Sequence, residues 1–167
     1  MRYFRRFFFL FVVGTIIQTP SFSQTTSAYL IALKYIVNKN AGKSIIVSDT
    51  IIHLPFHDFA AQICKLWNRD CNGVHDVLDS LDQAEENRKT VLNEFKNLKF
   101  NGREPTQIVY FSNFYSLMVI GEVIEQNKKH GLSHEVQTGF NQSTQYLFVF
   151  DKRYSLKKVF KIKLAYD

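Results

Sequence analysis

The chain has 167 residues, with 21 Lys and Arg against 15 Asp and Glu, a formal net charge of +6, 46% apolar residues and two cysteines. That length suits one compact domain around one core, and neither a Pro-rich nor a Gly/Ser-rich linker nor an internal repeat divides it. Half of the net positive charge lies in the first 23 residues, so it is poor support for a nucleic-acid partner.

Arg2, Arg5 and Arg6 precede an apolar run from Phe7 to Val13 that continues through Gly14 and Thr15 to Ile17. The segment QTPSFSQ follows, with Ser21 and Ser23 at the −3 and −1 positions before Gln24. This is the order of a secretory signal peptide, residues 1–23, with cleavage after Ser23. Its apolar core of about 11 residues falls short of the ~20 that span a bilayer. The leader takes three of the 21 basic residues and no acidic one, so the net charge of residues 24–167 is +3. The expected product is a single exported domain, periplasmic or extracellular, with no stable membrane span.

Ser27 is the expected N-cap of a first helix with apolar positions Tyr29, Leu30, Leu33, Ile36 and Val37 and a stop at Gly42. SIIVSDTIIHL, Ser44 to Leu54, reads as a strand that Pro55 closes. Phe56, Phe59, Ala60, Ile63, Leu66 and Trp67 form the stripe of a second helix ending at the breaker cluster NRDCNG. Val74, Val77, Leu78, Leu81, Leu92 and Phe95 indicate a long third helix, with Glu85 four residues before Lys89 on its outer face.

Beyond Pro105 the pattern loses its helical period. Thr106 to Glu125 is aromatic and β-branched, which predicts one long bent strand or two strands broken at Ser112 and Asn113, with a bulge at Gly121. The loop QNKKHGLSHE leads to a weaker strand at Val136 to Phe140. QYLFVFD, the turn DKRYS and KKVFKIKLAYD form a hairpin whose last strand puts Phe160, Ile162, Leu164 and Tyr166 on one face and Lys161 and Lys163 on the other.

Helices first and strands later indicate an α+β domain, with N-terminal helices packed on one face of a curved antiparallel sheet. In element order this plan resembles the nuclear-transport-factor-2-like (NTF2-like) rolls, from which the strand between the first two helices departs, and it also resembles a cystatin-like sheet. The resemblance implies a bent sheet able to enclose a pocket, and it implies no function.

His53 to His75 holds three of the five histidines and both cysteines. His53 and His57, and Cys71 and His75, have spacings that suit metal ligands, but Pro55 breaks the helical alignment of the first pair, so we expect neither a metal nor another cofactor. An exported chain with two cysteines points instead to a Cys64–Cys71 disulfide. On an unbroken helix those residues rise ~10.5 Å, beyond the ~7 Å limit for a bridge, so Asn68 to Asp70 must turn the chain. In the chain-entropy account the bridge stabilises the fold by about 2.5 kcal/mol.

Ser48, Asp49, His57 and Asp58 can be assembled on paper into an acid/base group, yet Asp58 is accounted for by a helix first turn, and we assign no catalytic residue. His130 and His134 lie in a Gly-containing loop. Tyr110, Phe111, Phe114, Tyr115, Tyr146, Phe148 and Phe150 suit a sheet core, or the lining of a pocket. Lys157, Lys158, Lys161 and Lys163 read as the solvated face and edge protection of a terminal strand, while also suiting an anionic lipid, a glycan or an acidic protein. No phosphate-binding Gly loop, paired-CxxC motif, GxSxG elbow or nucleotide fingerprint is present. The expectation is a non-enzymatic module that binds a protein or small ligand. The alternative is a roll-type enzyme or ligand carrier with a sheet-lined pocket drawn from His53, His57, Tyr110, His134 and Phe148.

Overall fold

The computed structural model describes residues 22–85, 90–102, 104–126, 133–138 and 142–166. The expected leader falls almost wholly on residues 1–21, outside the described residues, as does His130.

Helix α1 is Phe22–Lys39, followed by β1 (Ile45–Val47) and β2 (Thr50–Ile51). A 3-10 turn at Phe56–Phe59 runs into α2 (Ala60–Trp67), and α3 is Cys71–Glu85. After β3 (Thr90–Val91), a 3-10 turn at Asn93–Phe95 and β4 (Lys99–Phe100) come β5 (Gln107–Phe111) and β6 (Met118–Glu125). The chain closes with the short α4 (His134–Thr138), β7 (Gln142–Phe150) and β8 (Leu156–Ala165). Six strands form one sheet in the order β4-β1-β5-β6-β7-β8, while β2 and β3 pair separately.

The α+β class stands, but the sheet is mixed. β1 runs parallel to β5, with Ile46 opposite Ile108, and every other neighbour is antiparallel. Helices also cover both faces instead of one. Val119 and Val123 of β6 and Phe148 of β7 pack with Ala28, Leu33 and Ile36 of α1. Met118, Ile120, Leu147 and Val149, which alternate with them, pack with Phe59, Ile63, Val74 and Leu78 on the opposite face. Strands buried on both faces read as continuous apolar runs, which is why β5 and β6 show no alternation in the sequence.

Several local expectations change for physical reasons. α1 begins at Phe22, so Ser27 lies within the helix, and Leu30 of the expected stripe is exposed. The expected strand at Ser44–Leu54 is two short strands, because Ser48 turns the chain by accepting from the Thr50 N–H at 3.2 Å. α3 ends at Glu85, while Leu92 and Phe95 enter the core on the α1 side instead of continuing its stripe. Val136, expected in a strand, belongs to α4, where the Thr138 hydroxyl bonds back to the His134 carbonyl at 3.1 Å. The rest of that strand candidate, residues 139–140, lies outside the described residues.

The terminal hairpin forms as expected. Asp151 Oδ1 accepts from the N–H groups of Arg153 and Ser155 at 2.8 and 3.0 Å, which fixes the turn.

Gly121 is not a bulge, since it sits in register between Phe111 and Tyr146, and the irregularity in this sheet lies at Val149/Phe150. Its missing side chain is what α1 requires. A Cβ there would stand 2.8 Å from Ile36 Cδ1 and 2.9 Å from Phe111 Cε1. In a strand interior alanine is ordinarily favoured over glycine, whereas here overpacking should prevail and Gly121→Ala should cost about 1–3 kcal/mol. Urea denaturation checks this, and an unchanged or higher midpoint would contradict the close approach.

Candidate functional site

Within β6 a single acid interrupts the apolar run MVIGEVIE. Strand alternation turns Glu122 toward the α2/α3 face with Ile120 and Ile124, and the ladder sets Tyr110 and Gln145 directly beside it. Its side chain is fully buried. A carboxylate so placed must be satisfied internally. His134 Nε2 of α4 lies 2.6 Å from Oε2, the Tyr166 hydroxyl donates to Oε1 at 2.5 Å, and Gln145 Nε2 donates to the same oxygen at 3.4 Å.

Burial pushes the Glu122 carboxyl upward, but hydrogen bonding and the His134 charge outweigh it and leave the pKa below its ordinary value of 4.5. Ser143 Oγ, also buried, favours the charged form without completing a hydrogen bond of good geometry. Burial, with the Glu122 carboxylate adding to it, raises the pKa of both Tyr166 and Tyr110, so both stay protonated phenols at neutral pH. Tyr110 stands edge-on to the His134 ring, with centroids 4.9 Å apart. Because an ionised carboxylate only accepts, His134 Nε2 carries the proton between them.

The residues expected to share a pocket divide into three places. Tyr110 and His134 meet at Glu122. His53 and His57 lie instead ahead of α2, before and within the 3-10 turn, held by acids of α3. Asp82 Oδ1 is 3.4 Å from His53 Nε2 and accepts the Phe56 N–H at 3.1 Å, while Asp79 Oδ1 is 2.7 Å from His57 Nδ1. Asp82 thus caps the 3-10 turn from another helix. The cleft beside His53 measures only about 10 Å³. Phe148 is on the opposite face, against Tyr35.

His57 meets His75, with ring centroids 4.8 Å apart. Among the described residues, no three His, Cys, Asp or Glu side chains come together as a metal-ligand set. Asn68, at φ 49°, ends α2 in the left-handed conformation and supplies the required turn. Cys64 is buried and Cys71 exposed, both as free thiols. Burial, together with a hydrogen bond to Cys71, pushes the Cys64 thiol up to about 11.

On the α1 face, past the end of that helix, lies a second and more open feature. Val123, at the margin of the α1 core, continues into one cross-strand row with Thr144 and Lys163. They line a depression of about 340 Å³ together with Asn40, Gln107 and Glu125. Lys43 Nζ pairs with Glu125 Oε1 at 3.5 Å. Gln107 is 7% exposed, and its Oε1 has no hydrogen-bond partner among the described residues.

Sequence reasoning missed Glu122, Tyr166, Gln145, Asp79 and Asp82. Glu122 had a signal, since a lone acid inside a β-branched run must be either paired or misplaced. The two aspartates had none, because their partners lie more than twenty residues away. Compared with known proteins, the chain matches no family model, no curated protein and no solved structure. Among the described residues no helix is long and apolar enough to cross a membrane.

A carboxyl whose folded pKa is lowered contributes stability that is present above its unfolded value and is lost as pH falls through the folded one. Glu122→Gln should therefore cost about 2 kcal/mol at pH 7, and the difference from the parent should shrink as pH drops below 4.5. Denaturant titrations across that range test it, and a gap that stays constant with pH would remove the charged-carboxylate assignment.

Proposed function

We propose that this chain is an exported, non-enzymatic binding module, and that a small polar ligand occupies the depression at the end of α1. The observation that carries this reading is a concavity of about 340 Å³ with a polar wall that includes Asn40, Gln107, Glu125, Thr144 and Lys163. That volume lies within the ~300–1,000 Å³ of small-molecule sites. Lys163 offers a cation and Glu125, through the oxygen that Lys43 does not take, an acceptor, so a zwitterion or a molecule rich in hydroxyls suits the lining.

The competing reading is a pocket enzyme or small-ligand carrier using His134, and the convergence of Glu122, His134 and Tyr166 favours it. Against it, both carboxylate oxygens already have donors and Glu122 is shut from solvent, as a structural clamp requires.

Export follows from the arginine-led N-terminus, and the disulfide follows from export. In an oxidising compartment, exchange with an external disulfide would join Cys64 to Cys71, with the thiols losing both protons and two electrons passing to that oxidant. The exposed Cys71 is the thiol such an oxidant reaches.

Native mass spectrometry of protein recovered from the exported fraction should reveal a small non-covalent adduct. Thr144→Phe, which fills the depression, should abolish the adduct while leaving the fold intact by circular dichroism. No adduct in the parent, or equal loading of the variant, would refute the site. In the same material the polypeptide should begin at Gln24 and be lighter by the pair of thiol hydrogens than its reduced form. A retained Met1 would refute export, and free thiols would refute the bridge.

A further inference from the structure

β8 is ten residues long and ends the sheet, with β7 as its hydrogen-bonded neighbour on one side. All its residues are half-buried or exposed, whereas the last six of β7 are buried. Among the described residues nothing pairs with its outer side, which leaves a row of backbone donors and acceptors facing outward. Lys157, Lys158, Lys161 and Lys163 lie on this strand and Lys152 and Arg153 on the turn before it, with no acid from 152 to 165. Lys158 reaches over the Phe160 ring at 4.7 Å and Lys161 over the Tyr146 ring at 5.6 Å. Lys158 and Lys161 stand on opposite faces of the sheet, so a strand laid against β8 would meet a cation above and below.

We infer that this edge docks an extended acidic segment of a partner protein, which adds to the sheet as a further strand. Backbone hydrogen bonds would supply affinity and the lysines selectivity. Edge lysines commonly guard against strand pairing, but their guard depends on sign. A second copy of this chain would bring like charges into register, which opposes self-pairing, whereas glutamates and aspartates on an incoming strand would be drawn in. Phe160, Ile162 and Val159 add partly buried apolar surface for β-branched residues of such a segment. The opposite end of the sheet does not compete, because β4 has only two residues.

The test is fluorescence anisotropy with the full purified protein and a labelled peptide of Glu and Val matching β8 in length. Binding is expected, with protection of β8 amides from hydrogen exchange. Reversing charge in Lys158→Glu with Lys161→Glu, positions that do not line the depression, should weaken it about tenfold or more, with an unchanged circular dichroism spectrum. Methylating alternate peptide nitrogens keeps the charge and removes the ladder, and should abolish binding. No binding of the parent peptide, or equal binding of the methylated one, would overturn the proposal. So would heparin displacing the peptide while giving β8 the same exchange protection, since the edge would then be a general polyanion surface.

Discussion

Two-sided burial of β6 is the constraint on which this architecture depends. Seven of its eight residues are buried, and neither face can tolerate water, so α1 must close one and α2 with α3 the other. Gly121 sets how closely α1 approaches. Glu122, next along the strand, is carried into the opposite face by strand alternation alone. The interior acid is thus a consequence of the strand's place in the sheet, and Tyr166, Gln145 and His134 are the neighbours that make it tolerable.

The same constraint explains how His134 is held. α4 has five residues, too few for a helix to persist by its own hydrogen bonds. Its first residue joins the Glu122 carboxylate and stacks edge-on against Tyr110, which anchors a segment that local propensity would leave undecided. Tyr166 likewise ties the end of the chain to the middle of the sheet. The titratable groups here hold the polypeptide together, and the polar concavity beyond α1 lies on the other face.

Much of this was legible in the sequence because it is local. The helical stripe at Phe59 to Ile63 and the terminal hairpin depend on neighbours a few positions apart. The aromatic core residues were identified for the same reason. What escaped depends on distant partners. Nothing within Ser44 to Leu54 indicates that Ile45–Val47 pairs in parallel with Gln107–Phe111, so an all-antiparallel sheet was the simpler reading. Leu92 and Phe95 have apolar side chains that a helix stripe would accept, and only their contacts with α1 reveal that the helix has already ended. His53 and His57 were assigned to a pocket on residue type, whereas Asp82 and Asp79 draw them to the surface of α3.

The parallel pairing of β1 with β5 also bears on how the chain reaches this state. The β7–β8 hairpin closes across a short turn, while the β1–β5 seam brings together Ser44 and Thr106, 62 positions apart, with α2 and α3 between them. Loop closure grows costly only slowly, by about 0.6 kcal/mol per doubling of length, but that cost precedes any compensating contact. The C-terminal hairpin therefore closes at the smaller entropic cost, and the β1–β5 seam at the larger. Without β1, β5 would itself be a bare edge, open to pairing with the wrong strand.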